Sequence, residues 1–273
     1  MDHVTSRDGT KIGYDRRGSG EPLILVDGAL CHRGFGPTPK IAGRLAEHFT
    51  VYTYDRRGRG ESDDAAAGSF DARREVEDAE ALIAAAGGGA CLAGFSSGGA
   101  LALEVANQVP GVRGLALYEV PFITDADAAA PADFASHMRD LVAADDRSGA
   151  LRYFMGVVGM PAIMIGLMRM TPPWRKLKRV AHTLPYDAAL VKDVVGSDLT
   201  LPTDRWHLEA PVTVIDGGKS PESMRAANGA LAEVLGAGYR TLEGQTHMVK
   251  PAVLAPALVE TFKRRTTVEL EAA

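Results

Sequence analysis

Residues 91–106 read CLAGFSSGGALALEVA, with two serines set between glycines, after an apolar run and before a helical one. Gly94-Phe95-Ser96-Ser97-Gly98 fits G-x-S-x-G, the turn from strand to helix that presents a serine hydroxyl as a nucleophile. Small residues on either side of Ser96 are what such a turn needs, because larger ones would clash where strand and helix cross. The turn strains the serine backbone and puts its hydroxyl at a helix start, where the dipole favours developing negative charge. Three fixed positions specify little alone; the setting between a buried strand and a helix gives the pattern its weight. Ser97 reads as the helix start and not as a second nucleophile.

A serine needs a base that takes its proton and a group that orients the base. His247, in Gly244-Gln245-Thr246-His247-Met248-Val249, follows the last strand of the chain and is the expected base. His3, His48 and His182 follow no core strand and suit ordinary surface or core positions.

The elements that must position these residues alternate between strand and helix. Strands are expected at 10–15, 22–26, 51–54, 91–95, 115–118, 212–215 and 239–242, and helices at 41–48, 72–86, 98–109, 221–235 and 251–264. Pro22 to Val26 and Cys91 to Phe95 are continuous apolar runs, as expected of strands covered on both faces. The alternation predicts the α/β class, with a mostly parallel central sheet flanked by helices. Ligands of such sheets sit at the carboxyl ends of the strands, where Ser96 and His247 fall. Residues 123–205 break the rhythm with helical stretches at 134–144, 151–170 and 178–195. They are expected to form an inserted helical cap on a core made of 1–122 and 206–273.

With these motifs the chain resembles the α/β-hydrolases, within the small capped group of esterases, haloperoxidases and haloalkane dehalogenases. Asp55-Arg56-Arg57-Gly58-Arg59-Gly60-Glu61-Ser62 resembles that family's D-x-R-G-x-G-x-S segment, a loop that shapes the site. The resemblance implies an oxyanion hole built from the backbone N–H groups of Ala29 and Ser97. Where the family usually carries His-Gly, this chain carries Asp27-Gly28; Asp27 is expected to turn away and brace the loop. At the family's usual acid position, before Pro221, stands Ser220. The acid is therefore expected from elsewhere. Glu119 ends the apolar strand Leu117-Tyr118, where some haloalkane dehalogenases place theirs. Asp216, the cap residues Asp125 and Asp127, or no acid at all are the other readings.

Serine at the elbow argues against dehalogenases and epoxide hydrolases of this fold, which use aspartate there. It suits acyl transfer on an ester, lactone or thioester. Met155, Met164 and Met168 of the insertion, with Leu30, Phe95 and Met248, are expected to line an apolar pocket for a hydrophobic small molecule. A methionine stripe is more usually helical core, and the two readings are compatible because a cap has one face on each side. C–C hydrolysis, perhydrolysis or cyclisation at the same residues is the alternative within enzymes. A ligand-binding protein with a decayed site is the alternative outside them.

A net charge of −5 with no sustained Lys/Arg cluster argues against nucleic acid. Cys31 and Cys91 have neither disulfide-framework nor metal-ligand spacing, and neither a metal nor a nucleotide motif appears, so no cofactor is expected. The polar start and the Gly- and Pro-interrupted apolar segment at 154–170 predict neither a leader nor a membrane span. A cytoplasmic monomer or homodimer is expected.

Overall fold

The computed structural model describes residues 2–65, 67–192 and 194–272, with side chains to Lys263. In chain order the elements are β1 (Asp2–Thr5), β2 (Lys11–Arg17), β3 (Pro22–Val26), α1 (Thr38–Leu45), β4 (Thr50–Tyr54), α2 (Ala72–Ala85), β5 (Ala90–Phe95), α3 (Ser97–Gln108) and β6 (Val112–Tyr118). Then come α4 (Phe134–Ala143), α5 (Arg147–Val157), α6 (Ala162–Met168), α7 (Pro172–Val180), a 3₁₀ turn (Ala181–Thr183) and α8 (Leu184–Val191). β7 (Val212–Gly217), α9 (Glu222–Leu235), β8 (Gly238–Leu242) and α10 (Pro251–Ala272) complete the chain.

The eight strands form one sheet in the order β1-β2-β4-β3-β5-β6-β7-β8. β1 and β2 pair antiparallel at one edge, and β4 onward runs parallel. The mostly parallel α/β sheet is thus as expected. Alternate residues of the central strands serve two apolar layers. Ile24, Val26 and Leu92 pack with α2, α3 and α9 through Val76, Leu101 and Leu231. Leu23, Leu25, Cys91 and Ala93 pack with α1 and α10 through Ile41, Leu254 and Phe262. Both faces are buried, which is why these strands read as unbroken apolar runs.

Three local differences from the expected elements have physical causes. β1 is an exposed edge strand of mostly polar residues, so no apolar alternation marks it. The expected helix at 151–170 is two helices, because Gly159 takes φ +86° and Pro161 cannot continue the first. The expected helix at 178–195 is broken by the 3₁₀ turn before Pro185, which sits in the first turn of α8. Within 123–205 the described residues add helices and no strand.

Candidate active site

β5 runs between β3 and β6 and ends at Phe95, so Ser96 emerges in the middle of the sheet edge. Ser96 has φ +54° and ψ −128°, a backbone state that an L residue holds only when its surroundings enforce it. Its N–H donates to the Tyr118 carbonyl at 2.9 Å, and the Gly99 N–H donates to its carbonyl at 2.8 Å. A Cβ on Gly94 would stand 2.6 Å from the Gly98 oxygen and the Gly99 Cα, and one on Gly98 would overlap the Val26 and Asp27 carbonyls. Glycine at these two positions is what lets α3 turn back across β5 and β3. Ser97 opens α3, where the first N–H groups have no intrahelical acceptor.

The segment after β3 lies against this turn. A Cβ on Gly28 would come within 2.9 Å of the Phe95 carbonyl and 3.1 Å of the Ser96 Cβ. Leu30 holds φ +64° and puts its side chain among Met155, Ile165 and Trp174 of the helical segment. Asp27 is buried and its carboxylate accepts a short hydrogen bond from the Thr38 hydroxyl at the start of α1. Burial pushes its carboxyl up to about 6, against the pull of the Thr38 bond and of Arg59 and Arg56.

Glu119 follows β6, takes φ +49°, and is 0% exposed. Its N–H donates to the Ile215 carbonyl at 3.0 Å, holding it at the end of β7. Oε1 accepts from the Gly217 N–H at 2.8 Å and the Ser220 hydroxyl at 2.5 Å, and Oε2 lies 2.8 Å from Nδ1 of His247. Burial raises this carboxyl, but the bonds from His247, Ser220 and the Gly217 N–H outweigh it and hold it below the usual range. His247 sits on the turn after β8, its side chain 45% exposed, and the Tyr118 hydroxyl fixes that turn by donating to the Thr246 carbonyl at 2.7 Å. Ser220, the residue at the family's acid position, therefore serves Glu119 as a donor.

The other carboxylates lie elsewhere. Asp216 is buried and takes the Tyr239 hydroxyl at 2.5 Å, with Arg225 at 3.5 Å, on the side of β8 and α9. Asp125 accepts from the N–H of Asp127 in an exposed turn. Among the expected pocket residues, Leu30 and Met155 share one buried cluster, and Met168 packs against it. Phe95 instead packs with Tyr118 and Leu254 in the α1 and α10 layer. Met164 and Met248 are 54% and 79% exposed. Among the described residues no group of three His, Cys, Asp or Glu could hold a metal ion, and no helix is long and apolar enough to cross a membrane.

Residues 27–259 match the alpha/beta hydrolase family. The chain belongs to that family. An alpha/beta hydrolase from Sphaerobacter thermophilus DSM 20745 is 42% identical, with a TM-score of 0.85 over 96% of this chain and 100% of that one. A pimeloyl-[acyl-carrier protein] methyl ester esterase from Stenotrophomonas maltophilia (strain R551-3) is 34% identical over 146 residues. That match takes in 51% of this chain and 52% of the esterase, so the chain spans about half the length of this relative. A thermophilic esterase from Thermogutta terrifontis shares the fold, with 19% identity and a TM-score of 0.67 over 97% of this chain and 98% of that one.

The site has supporting residues beyond those expected: Asn228 and Asp187 are new, and Arg56 and Arg59 come from the loop expected to shape it. Asn228 of α9 accepts from the Val120 N–H at 3.0 Å and donates to the Val120 carbonyl at 3.2 Å, clamping the residue after Glu119. Arg56 and Arg59 are buried beneath the Asp27–Cys31 loop with Asp187 of α8. The available signal for Asp187 was one carboxylate inside the apolar stretch Leu184-Pro185-Tyr186-Asp187-Ala188-Ala189-Leu190.

Proposed function

We propose that the chain is a serine hydrolase that cleaves a carboxylic ester, lactone or thioester of a hydrophobic small molecule. Ser96 is the nucleophile, His247 the base and Glu119 the residue that orients and charges the base. The observation that carries this reading is the 2.8 Å contact between the fully buried Glu119 carboxylate and Nδ1 of His247. With Nδ1–H held by Glu119, Nε2 is left as the proton acceptor.

In the acylation step the Ser96 hydroxyl oxygen bonds to the substrate carbonyl carbon and its proton passes to Nε2 of His247. The carbonyl electron pair moves onto oxygen, which the N–H groups of Ala29 and Ser97 stabilise. Collapse expels the leaving group with the proton returned by His247. Water, deprotonated by the same nitrogen, then attacks the acyl-enzyme, and the acid and free Ser96 result. The curated relative named for a methyl ester supports the ester bond as target.

Residues 123–205 are the cap in this reading, and the cluster of Leu30, Met155, Ile165 and Trp174 supports an apolar acyl group beneath it. The test is intact-mass spectrometry after exposure to a fluorophosphonate, with peptide mapping. One adduct on Ser96, lost in His247→Ala, is expected. Folded wild-type protein that takes no adduct overturns the reading.

A further inference from the structure

We infer that Asp187, on α8 of the helical insertion, is a positioning residue that sets both oxyanion donors at once, through Ser97 on one side and through Arg56 and Arg59 on the other. The inference rests on the serine hydrolase reading and adds to it a residue from outside the triad.

One oxygen of Asp187 accepts from the Ser97 hydroxyl at 2.8 Å and from Nη1 of Arg56 at 2.7 Å. The other accepts from Nη2 of Arg59 at 2.6 Å. Ser97 is the first residue of α3, so this bond fixes the peptide whose N–H faces the developing oxyanion. The two arginines act on the other donor. Nη1 of Arg59 donates to the Gly28 carbonyl at 2.7 Å, and Nη1 of Arg56 donates to the Asp27 carbonyl at 3.2 Å. The Gly28 carbonyl and the Ala29 N–H belong to one planar trans peptide, so drawing the carbonyl toward Arg59 aims the N–H the opposite way.

In the D-x-R-G-x-G-x-S segment the patterned arginine is Arg57, which pairs with Asp78 and Asp8; Arg56 and Arg59 occupy its open positions. Arg56 also takes both oxygens of Glu75 at 2.7 Å, so two cations and two anions balance inside the protein. Arg59 is steadied by the Thr183 hydroxyl at 3.0 Å, in the 3₁₀ turn just before α8. Buried charges are retained at a desolvation cost that an apolar filling would avoid. Here they convert the seating of α8 into the alignment of two backbone donors contributed by separate loops. Lifting α8 would break all three Asp187 bonds together, so the oxyanion site is complete only with the insertion seated.

The test compares wild type, Asp187→Asn and Ser97→Ala, the last removing one oxygen and leaving the Ser97 N–H in place. Turnover of p-nitrophenyl butyrate is measured alongside the affinity of a trifluoromethyl ketone, whose hemiketal oxyanion occupies the same donors. Removing one oxyanion donor outright costs on the order of 10²–10³ in kcat. Misaligning the pair in Asp187→Asn should lower kcat roughly 10- to 100-fold, weaken the ketone by a similar factor, and move KM by less than about threefold. Ser97→Ala should show the same signature, with kcat and ketone affinity each lowered roughly 3- to 10-fold. Folded Asp187→Asn protein with wild-type kcat and ketone affinity overturns the inference, as does a loss confined to KM. If Asp187→Asn does not fold, Ser97→Ala decides: unchanged kcat and ketone affinity overturn the inference. Wild-type protein with neither turnover nor a Ser96 adduct would instead remove the hydrolase reading beneath it.

Discussion

Glu119 Oε2 and His247 Nδ1 lie 2.8 Å apart although 128 residues separate them in the chain, and Glu119 reaches that position with a left-handed backbone, φ +49°. Two further donors, the Gly217 N–H and the Ser220 hydroxyl, hold its other oxygen, so the carboxylate cannot rotate away. Glu119→Gln keeps an acceptor for those donors and removes the charge that faces the imidazole. With an ester substrate, kcat should fall on the order of a thousandfold while KM stays near wild type. Wild-type turnover in a folded Glu119→Gln protein would take Glu119 out of the triad.

Asp216 is the competing carboxylate, and the proposed mechanism gives it no catalytic role. It faces Tyr239 at 2.5 Å and Arg225 at 3.5 Å. Asp216→Asn should therefore leave kcat within about threefold of wild type, because no step of general acid–base catalysis passes through it. Asparagine keeps an acceptor for the Tyr239 hydroxyl, so thermal melting should register only the loss of the charge facing Arg225. A collapse of kcat matching that of Glu119→Gln, in a folded protein, would transfer the orienting role to Asp216.

The difference between these two carboxylates also shows what the chain makes legible and what it hides. β3 and β5 are readable because both faces are buried and every residue is apolar, whereas β1 has no buried face to leave a pattern. Glu119 is readable because a carboxylate at the end of an apolar strand needs a partner. Asp187 is harder to read: a lone carboxylate within the apolar stretch 184–190 announces a buried partner, but no motif names Arg56 and Arg59, 131 and 128 residues away. Two methionines of the insertion end in different environments for a similar reason. Met155 and Met164 lie on successive helices, but the break at Gly159 and Pro161 buries one and leaves the other exposed.

Asp27 gives stability a pH dependence of defined sign. Burial raises its carboxyl from 3.8 to about 6, so the folded state holds a proton that the unfolded chain has released. That contribution is fully present below pH 3.8 and is lost as pH rises through about 6. Across this window the group should withdraw about 3 kcal/mol from the folding free energy. Asp78, also raised to about 6 by burial, adds to the same slope, so the informative quantity is the difference between wild type and Asp27→Asn. Asparagine keeps an acceptor for Thr38 and cannot ionise. Melting temperatures from pH 4 to pH 7 should fall more steeply for wild type than for Asp27→Asn; parallel curves would mean that Asp27 does not titrate in this range.

Asn228 connects stability to the site. Its amide accepts from the Val120 N–H and donates to the Val120 carbonyl, and no strand neighbour can replace it because β6 has ended at Tyr118. Asn228→Ala would leave the Val120 N–H buried without an acceptor, while the Val120 carbonyl keeps the Phe122 N–H at 3.0 Å, at a cost of roughly 2 kcal/mol in urea unfolding. The same substitution frees the peptide that follows Glu119, whose φ of +49° needs enforcement from both sides. Turnover should then fall by about tenfold even at a temperature where the variant is fully folded, through a misplaced carboxylate and a less well oriented imidazole. Asn228→Asp separates the two effects: a carboxylate accepts from the Val120 N–H but sets a buried charge against the Val120 and Met224 carbonyls, so it should recover most of the turnover and little of the stability. A variant series in which stability falls and kcat does not would confine Asn228 to holding α9 against the sheet.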